Sequence, residues 1–288
     1  MLGFIGLGAM GEPMCKNLAL NGKEKVIAYD LKSPPLARLK KDGVRKAKSF
    51  EELSMEADII FLSLPSGDQV NEVCIGPTGL INFLGPKQCV VDCSTSPPEL
   101  ARKIQKRFMK KQINFADAPV SRTRSAAIKG TLSITVGAQE KIFAKIKPFL
   151  SCMATDITHC GEVGTGQTVK ILNNMLLFQN CLAIAQALVV ARKSGLNEKT
   201  FLDSIAKGSG DSFALRNHAM KSMLLHNYPK GIFSVNYALK DLKYAMELAN
   251  LHGVDIASLK IIQKLFDQTI DGSLGDHYHP IIREMIDS

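Results

Sequence analysis

Short apolar runs alternate with longer stretches of mixed polarity over the first 160 residues of the chain. Apolar runs of about four to eight residues bounded by turn residues are typical of buried strands, whereas apolar positions three and four apart are typical of helices. The runs that predict strands lie at residues 1–5, 26–30, 58–65, 89–94, 114–120, 132–136 and 156–160. Because strands that alternate with helices form parallel sheets covered on both faces, this half of the chain is predicted to be a doubly wound α/β domain.

After residue 160 the strand pattern stops. The stretch from Thr165 to Arg192 contains no proline, and Gly166 is its only glycine. It predicts one helix of about 25 residues that ends at a Gly195 C-cap, with further helices near 198–207, 212–224, 234–252 and 256–270. We therefore expect a first domain at residues 1–162, a long interdomain helix at 163–193 and an all-α C-terminal domain at 194–288.

The first strand leads directly into a glycine-rich turn that is followed by a predicted helix. Glycines at this spacing permit a tight turn, a close approach of the backbone to a pyrophosphate and close packing of the helix on the strand. The second strand ends at an acid, Asp30, where a carboxylate binds ribose hydroxyl groups. Together these features predict a Rossmann-type dinucleotide-binding domain, with cofactor-binding residues Gly6, Leu7, Gly8, Ala9, Met10, Gly11 and Asp30.

The composition is that of a soluble globular protein. Of 288 residues, 45% are hydrophobic, which is ample for a sizeable core. No run approaches the roughly 18 consecutive apolar residues that span a bilayer, and the first strand starts at Leu2 with no room for a signal peptide. The seven cysteines form no CxxC pair, which is typical of reduced core thiols. We expect a cytoplasmic protein with no membrane partner.

The net charge of +9 lies almost entirely in residues 1–160. Part of it falls in the stretch 102–111, where apolar residues recur at a roughly helical period and basic residues fill the other positions. No nucleic-acid-binding motif accompanies this stretch. A solvated helix face is therefore favoured, and no nucleic-acid partner is expected.

Ligands of doubly wound sheets bind at the carboxyl ends of the strands. Three such ends carry hydroxyl or proline residues, at 63–65, 94–95 and 119–121. Leu64 and Pro65 are candidate cofactor contacts for this reason. The same residue types are ordinary in turns, so the pattern alone leaves both interpretations open.

The segment 161–168 nearly matches a phosphate-binding P-loop, but Gln167 stands where the lysine that reaches the phosphates would be. This argues against nucleoside triphosphate hydrolysis and favours a close backbone approach to a ligand at a domain junction. Directly afterwards, Lys170 and Asn174 lie four residues apart and share one face of the long helix. We predict that Lys170 donates and accepts a proton and that Asn174 orients a substrate oxygen or the lysine itself.

Six segments, in the same order, resemble the motifs of the β-hydroxyacid dehydrogenases, the family that includes 3-hydroxyisobutyrate dehydrogenase and tartronate semialdehyde reductase. The resemblance covers nearly the whole chain. It implies hydride transfer between a nicotinamide cofactor and a short hydroxy acid or semialdehyde of the 3-hydroxyisobutyrate, tartronate semialdehyde, succinic semialdehyde or glyoxylate class, without a metal. The segments are Gly6 to Met14, Asp92 to Thr95, Asp117 to Ser121, Gly130 to Leu132, Gly161 to Asn174 and Lys240 to Leu242.

The resemblance also implies a role for individual residues. Thr95 would contact the nicotinamide ribose region, and Lys240 would close the far side of the nicotinamide pocket. Ser121 would bind the substrate carboxylate. Lys170 would be the general acid and base, and Asn174 would hold the substrate.

The acid after the second strand also bears on the choice of cofactor. Asp30 favours NAD, because a carboxylate accepts a hydrogen bond from the ribose 2′-hydroxyl and repels a 2′-phosphate. Lys32 lies close enough in sequence to leave NADP as the alternative.

The chain departs from the family after Ser121, where most members have two glycines whose backbone amides bind the carboxylate and this chain has Arg122 and Thr123. A guanidinium can bind an anion through two parallel hydrogen bonds. The Arg-Thr variant resembles the sulfolactaldehyde reductases, which implies a sulfonated aldehyde as the alternative substrate. Ser121, Arg122 and Thr123 are accordingly the candidate substrate-binding residues, and the other interpretation of Arg122 is a surface arginine paired with nearby acids.

A protein of another class, a dinucleotide-binding sensor without catalysis, is the remaining alternative. The residue that discriminates between the two is the one at position 170, which is still lysine and therefore favours an enzyme. Members of the family pair through their helical halves, so the resemblance also implies a homodimer or a homotetramer.

Overall fold

The computed structural model describes residues 1–287, which divide into two compact units, one from Met1 to Lys170 and one that begins at Ile171. Residue 288, the end of the expected all-α domain, lies outside the described residues. The strands of the first unit are β1 (Leu2–Ile5), β2 (Val26–Tyr29), β3 (Arg45–Lys46), β4 (Ile59–Leu62), β5 (Cys89–Asp92), β6 (Asn114–Asp117), β7 (Val120–Ser121), β8 (Leu132–Gly137) and β9 (Ala154–Gly161). Its helices are α1 (Gly11–Asn21), α2 (Ser33–Leu39), α3 (Phe50–Glu56), α4 (Gly67–Ile75), α5 (Pro98–Met109), α6 (Arg124–Lys129) and α7 (Glu140–Leu150).

Within the described residues, nine strands form one sheet in the order β3-β2-β1-β4-β5-β6-β8-β7, and β9 pairs with β8. β1 is parallel to both of its neighbours, β2 and β4, and the parallel pairing continues through β6. β8 is antiparallel to β6 and β7. The chain leaves β1 toward β2 on one side and returns to β4 on the other, so the strand order reverses at β1. Ligands bind at such a switch point, at the carboxyl ends of the strands.

The central strands are buried on both faces because helices cover both sides of the sheet. Alternate residues along β1 and β4 enter separate hydrophobic clusters. Phe4 and Phe61 belong to one, with ring centroids 6.3 Å apart, and Ile5 and Ile60 belong to the other. The predicted mostly parallel α/β architecture is confirmed. Most of the basic stretch lies on α5, whose buried face consists of Pro98, Ala101, Ile104 and Phe108.

One continuous helix, α8 (Thr165–Lys193), begins in the first unit and continues into the second. It ends as predicted, because Gly195 has a φ of +81°, in the left-handed region that glycine adopts readily. A separate hydrophobic core in the second unit includes Phe178 and Phe266. The helices that follow α8 are α9 (Glu198–Ile205), a π-helical segment (Leu215–Met223), α10 (Val235–Leu251), α11 (Ala257–Asp271) and α12 (Ile282–Asp287).

Of the described helices, α8 alone is long and apolar enough to cross a membrane, judged by length and composition only. Core helices of soluble proteins satisfy the same criteria, and half of the most apolar window of α8 is buried within the protein. This feature is therefore weak evidence for a membrane span.

Candidate active site

The glycine turn between β1 and α1 has the backbone geometry that a dinucleotide requires. Gly6 has a φ of +91°, and a Cβ on it would lie 2.3 Å from the Ser63 carbonyl oxygen. A Cβ on Gly11 would lie 2.0 Å from the carbonyl oxygen of Gly6, so α1 packs directly on the turn. By contrast, no described atom lies within 4 Å of the Cβ position of Gly8. The turn therefore leaves room at Gly8 for a pyrophosphate beside the N-terminus of α1.

The other residues of this turn divide between the core and the surface. Leu7 is buried, and Met10 is half-buried against the same hydrophobic cluster. Gly8 and Ala9 are exposed. The side of the turn that a ligand can reach is therefore Gly8-Ala9.

Asp30 follows β2 and braces the glycine turn. One carboxylate oxygen accepts a hydrogen bond from the backbone N–H of Leu7 (2.6 Å), and the other accepts one from the backbone N–H of Lys32 (2.7 Å). Each carboxylate oxygen can accept a further hydrogen bond, which leaves capacity for ribose hydroxyl groups. The arginine of α2, Arg38, is held by Glu12 through two hydrogen bonds of 2.6 and 2.7 Å. This guanidinium is therefore already bound to an acid.

The loop after β5 carries Thr95 between two buried serines. Ser94 and Ser96 are buried, whereas Thr95 is half-buried. The Asp92 carboxylate shapes the loop by accepting hydrogen bonds from the Ser94 backbone N–H (2.9 Å) and the Ser96 hydroxyl (3.2 Å). The Ser94 hydroxyl accepts a hydrogen bond from the backbone N–H of Leu64 (2.9 Å), which precedes the exposed Pro65. The loops after β4 and β5, which carry the candidate cofactor residues, are therefore joined by a hydrogen bond.

Gln167 and Asp117 connect this loop with the start of α8. The amide nitrogen of Gln167 donates to the Ser94 carbonyl oxygen (2.7 Å), and its amide oxygen accepts from the Ser96 backbone N–H (3.1 Å). The backbone N–H groups of Gly164 and Gln167 donate to the two carboxylate oxygens of Asp117, at 2.6 and 2.7 Å. Burial raises the pKa of Asp117 to about 7, although these two hydrogen bonds oppose the shift. Asp117 thus caps α8 from a distant strand, a role that the sequence did not reveal.

Lys170 lies in the second turn of α8 and belongs to the first unit. Its Nζ is 3.5 Å from the Oγ of Ser121, at the end of β7. This distance is at the upper limit for a hydrogen bond, and polar contacts of catalytic groups commonly shorten once substrate binds. The structure therefore brings the predicted general acid and base next to the hydroxyl predicted to bind the substrate carboxylate.

The Arg122 guanidinium is held by the residue before β8 and by two residues of β9. Its Nη1 donates to the Thr131 carbonyl oxygen (2.8 Å) and to Thr155 Oγ1 (3.0 Å), and its Nη2 is 2.7 Å from a carboxylate oxygen of Asp156. Next to it, Thr123 caps α6 with its hydroxyl. These contacts match the interpretation of Arg122 as an arginine paired with a nearby acid. Its role as a substrate ligand stays a prediction, and that role requires the guanidinium to exchange Asp156 for the substrate.

In the second unit, the Asp241 carboxylate binds the side chains of both Asn174 and Lys240. The Asn174 amide nitrogen donates to one oxygen of Asp241 (2.8 Å), and the Lys240 Nζ is 3.1 Å from the other. The ammonium of Lys240 also lies 4.3 Å from the ring centroid of Tyr237 and 5.4 Å from that of Tyr244, an arrangement that attracts a cation. Asp241 and Asn174 are each 2% exposed. Both predicted residues of this unit therefore depend on one buried carboxylate.

The sequence analysis assigned no role to the acids that hold the predicted site residues in place within each unit. Asp92, Asp117 and Asp241 are buried acids, and the first two lie within apolar stretches of the sequence. An acid in such a stretch indicates a buried polar network, because unpaired acids are rarely buried. That signal was available, but it did not identify the partners. Gln167 was singled out only because it is not a lysine.

Two protein-family models match the chain in succession. Residues 1–161 match the NAD binding domain of 6-phosphogluconate dehydrogenase, and residues 164–284 match the NAD-binding domain of NADP-dependent 3-hydroxyisobutyrate dehydrogenase. Together the two matches cover the α/β unit and most of the helical unit.

Curated relatives and solved structures agree with these matches. The chain is 37% identical over 266 residues to 2-(hydroxymethyl)glutarate dehydrogenase of Eubacterium barkeri, covering 92% of this chain and 88% of the relative. It is 34% identical over 262 residues to 3-hydroxyisobutyrate dehydrogenase of Pseudomonas aeruginosa, with coverages of 89% and 87%. A structure of Mycobacterium tuberculosis 3-hydroxyisobutyrate dehydrogenase with L-serine superposes with a TM-score of 0.91 at 28% identity, over 100% of this chain and 99% of that one.

The glycine turn, the acid after β2 and the lysine beside Ser121 are thus found in a chain that matches hydroxy acid dehydrogenases over about nine-tenths of its length. The chain belongs to the 3-hydroxyisobutyrate or β-hydroxyacid dehydrogenase family and is an NAD(P)-dependent oxidoreductase of that family.

Proposed function

We propose that this enzyme transfers a hydride reversibly between NAD(H) and a short β-hydroxy acid or the corresponding semialdehyde, with Lys170 as the general acid and base. The observation that carries this proposal is the 3.5 Å distance between Lys170 Nζ and Ser121 Oγ. A substrate whose carboxylate binds the Ser121 hydroxyl has its reacting oxygen within reach of the lysine. A proton donor in that position is what the reduction of an aldehyde requires.

The chain's own residues supply the proton transfer and the positioning. In the direction of reduction, the Lys170 ammonium gives a proton to the aldehyde oxygen as that oxygen gains negative charge. In the direction of oxidation, the neutral amine of Lys170 takes the proton of the alcohol. Asn174, one helical turn further along α8, holds the substrate. NAD(H), when bound, supplies or accepts the hydride.

We propose NAD as the preferred cofactor. Asp30 places a carboxylate after β2, where it accepts hydrogen bonds from ribose hydroxyl groups and repels a 2′-phosphate. The guanidinium of Arg38 is bound to Glu12, so this arginine is not available to a 2′-phosphate unless the ion pair breaks. The test compares kcat/KM for NADH and NADPH in the wild type and in Asp30→Ser. In the variant, the ratio of kcat/KM for NADH to kcat/KM for NADPH should fall at least about tenfold. A wild type that prefers NADPH would contradict the proposal.

We propose that the substrate is a hydroxy acid in which a hydroxymethyl group is attached to the carbon that bears a carboxylate, or the aldehyde that corresponds to it. Two relatives support this choice, because 3-hydroxyisobutyrate and 2-(hydroxymethyl)glutarate, after which they are named, share this arrangement. The alternative is a sulfonated aldehyde such as sulfolactaldehyde, and it depends on Arg122 exchanging Asp156 for the sulfonate.

The test is a screen of NADH oxidation against single aldehydes. The panel is glyoxylate, succinic semialdehyde, methylmalonate semialdehyde, tartronate semialdehyde, 2-formylglutarate and sulfolactaldehyde. Turnover of methylmalonate semialdehyde, tartronate semialdehyde or 2-formylglutarate supports the proposal, because the reduced forms of these aldehydes carry a hydroxymethyl group next to the carbon that bears the carboxylate. Turnover of glyoxylate or succinic semialdehyde alone would contradict this choice of substrate, and turnover of sulfolactaldehyde alone supports the alternative substrate. Tight NADH binding without turnover of any aldehyde would support a non-catalytic sensor.

We further propose that the protein is a homodimer or a homotetramer. α8 carries apolar residues on its exposed side within the second unit, and Leu176 and Val190 are 56% and 64% exposed. Apolar residues at heptad-like spacing on an exposed helix face are typical of helix pairing. Light scattering coupled to size-exclusion chromatography measures the mass directly. We expect at least twice the chain mass of 31.4 kDa, and a lower mass for the double variant Leu176→Asp, Val190→Asp.

A further inference from the structure

Gln167 is completely buried, and both ends of its side-chain amide are bound to the loop that carries Thr95. The nitrogen donates to the residue before Thr95 and the oxygen accepts from the residue after it, across 73 and 71 positions of the chain. We propose that Gln167 is a positioning residue, which fixes the Thr95 loop relative to Lys170 and so sets the place of the nicotinamide relative to the proton donor. This inference rests on the proposed function.

We call the two hydrogen bonds from the Gln167 side chain to Ser94 and Ser96 the clamp. Their chemistry explains why a glutamine occupies this position. The Ser94 carbonyl oxygen needs a donor and the Ser96 N–H needs an acceptor, and a primary amide offers both in one plane. A carboxylate offers acceptors only, and an ammonium offers donors only. The lysine of a P-loop at this position would therefore leave the Ser96 N–H without its partner, a costly outcome for a fully buried group.

The start of α8 is itself held rigidly to the sheet, so the clamp has a firm base. Asp117 binds the backbone N–H of Gln167 at 2.7 Å, and Thr135 on β8 donates to the Gly166 carbonyl oxygen at 3.1 Å. A Cβ on Gly166 would lie 2.6 Å from the Thr135 carbonyl oxygen. Helix and sheet are therefore in direct backbone contact at this point, and a displacement of the helix start would break several contacts at once.

Gln167 and Lys170 are three residues apart on α8 and so lie on neighbouring positions of one helix face. The Gln167 side chain reaches the Thr95 loop, and the Lys170 side chain reaches Ser121. Hydride and proton must arrive at the same carbonyl group, and a misplacement of about 1 Å lowers such rates about 100-fold. The Gln167 side chain is thus a direct link between the loop predicted to bind the nicotinamide ribose and the helix that carries the acid.

Two variants at Gln167 and two matched controls test this role. Gln167→Glu keeps the length and the acceptor but removes the donor to Ser94, and Gln167→Met keeps the length without charge and removes both bonds. Gln179 lies on the same helix, and its side chain donates to Ser258 Oγ (2.7 Å) within the second unit. Gln179→Glu and Gln179→Met are therefore the controls.

The measurements are the Kd of NADH by fluorescence, kcat and KM for the best aldehyde, the isotope effect with 4-deuterated NADH, and the thermal midpoint. For the Gln167 variants we expect kcat to fall about 10- to 100-fold per folded molecule, NADH to bind at least about fivefold more weakly, and the isotope effect to rise because the hydride step becomes slower. The KM for the aldehyde should stay near the wild-type value, since Ser121 is not part of the clamp. The Gln179 variants should keep wild-type kinetics.

Folded Gln167 variants with wild-type kcat and NADH affinity would overturn the inference, as would a loss of activity that only follows the unfolded fraction. If Gln167→Glu does not fold, because it buries a charge near Asp92 and Asp117, the uncharged Gln167→Met decides. If the wild type reduces none of the aldehydes, the proposed function fails on its own. The NADH affinities of the variants then still decide whether Gln167 positions the cofactor loop.

Discussion

The buried carboxylate of Asp241 accepts a hydrogen bond from the side-chain amide of Asn174 at 2.8 Å. Because an ionised carboxylate can only accept, this bond fixes which end of the Asn174 amide is nitrogen, and it directs the amide oxygen away from Asp241. The second carboxylate oxygen lies 3.1 Å from the ammonium of Lys240. One acid in the second unit therefore sets the orientation of one predicted site residue and balances the charge of another.

Replacing Asp241 by asparagine should lower kcat/KM by about 10- to 100-fold. The amide of the variant can present nitrogen or oxygen to Asn174, so the orientation of Asn174 is no longer fixed, and the charge of Lys240 is no longer balanced. Steady-state kinetics with the best substrate measure the loss. Asp255→Asn, which removes an exposed acid paired with Lys260, is the control, and equal kinetics for the two variants would contradict the role of Asp241.

Replacing Lys170 by alanine should abolish measurable turnover while NADH binding stays nearly intact. General acid catalysis contributes about 100- to 10,000-fold, and the lysine lies beside Ser121 at the end of β7. Turnover and NADH affinity are measured on the same preparation. Lys193→Ala changes an exposed lysine at the other end of α8 and should behave as the wild type. Unchanged activity of Lys170→Ala would remove this residue from the mechanism.

Two substitutions distinguish the roles of Arg122 and Asp156. If Arg122 binds the substrate anion, Arg122→Gly should lower kcat/KM for the best anionic aldehyde about tenfold. Asp156→Asn should lower the KM, because Asp156 competes with the substrate for the guanidinium at 2.7 Å. The Thr155 hydroxyl and Arg122 hold the pKa of Asp156 below its usual value, so Asp156 is ionised and this competition operates at neutral pH.

Arg122→Gly also removes a backbone strain, because Arg122 has a φ of +84°, in the region that favours glycine. A loss of activity in this variant therefore cannot be ascribed to a poorer backbone fit. If no active substrate is affected, Arg122 serves only to link β7 with β8 and β9, and the sulfonated aldehyde loses its support.

The second unit should lose stability as the pH falls below about 6.5. Burial lowers the pKa of His218 to about 4 and that of His279 well below its usual range. Between these values and the ordinary histidine pKa, the unfolded chain binds protons that the folded chain excludes, so the free energy of unfolding decreases as the pH decreases. For His218 the loss at pH 4 is roughly 3 kcal/mol.

Urea unfolding at a series of pH values from about 7 to 5 measures this dependence, since both histidines titrate in the unfolded chain over that range. His279→Phe should reduce it, because the ring of His279 already packs against Phe178 and Phe233 and a phenylalanine binds no proton. His252→Gln, at an exposed position, should leave the pH dependence unchanged. An identical slope for His279→Phe and the wild type would show that His279 does not carry the effect.

The local patterns of the sequence were sufficient for the architecture. The periodicity of apolar residues placed the long helix and every strand except the two-residue strands β3 and β7. The spacing of Gly6, Gly8 and Gly11 identified the turn that a dinucleotide approaches. The spacing of Lys170 and Asn174 predicted, for the same reason, that the two residues share one face of the long helix. All of these features repeat over a few residues, and the backbone geometry of helices, strands and tight turns depends on neighbours in sequence.

The contacts that organise the candidate site were decided by the tertiary structure alone. Gln167 reaches Ser94 and Ser96 across more than 70 positions, and Asp117 caps a helix that begins 48 residues later. Arg122, chosen from the sequence for its charge, is paired with Asp156 on β9, 34 positions further along the chain. A buried polar side chain requires a hydrogen-bond partner, and the sequence shows which residues have this requirement. Which partner each residue binds depends on where the fold brings distant segments together.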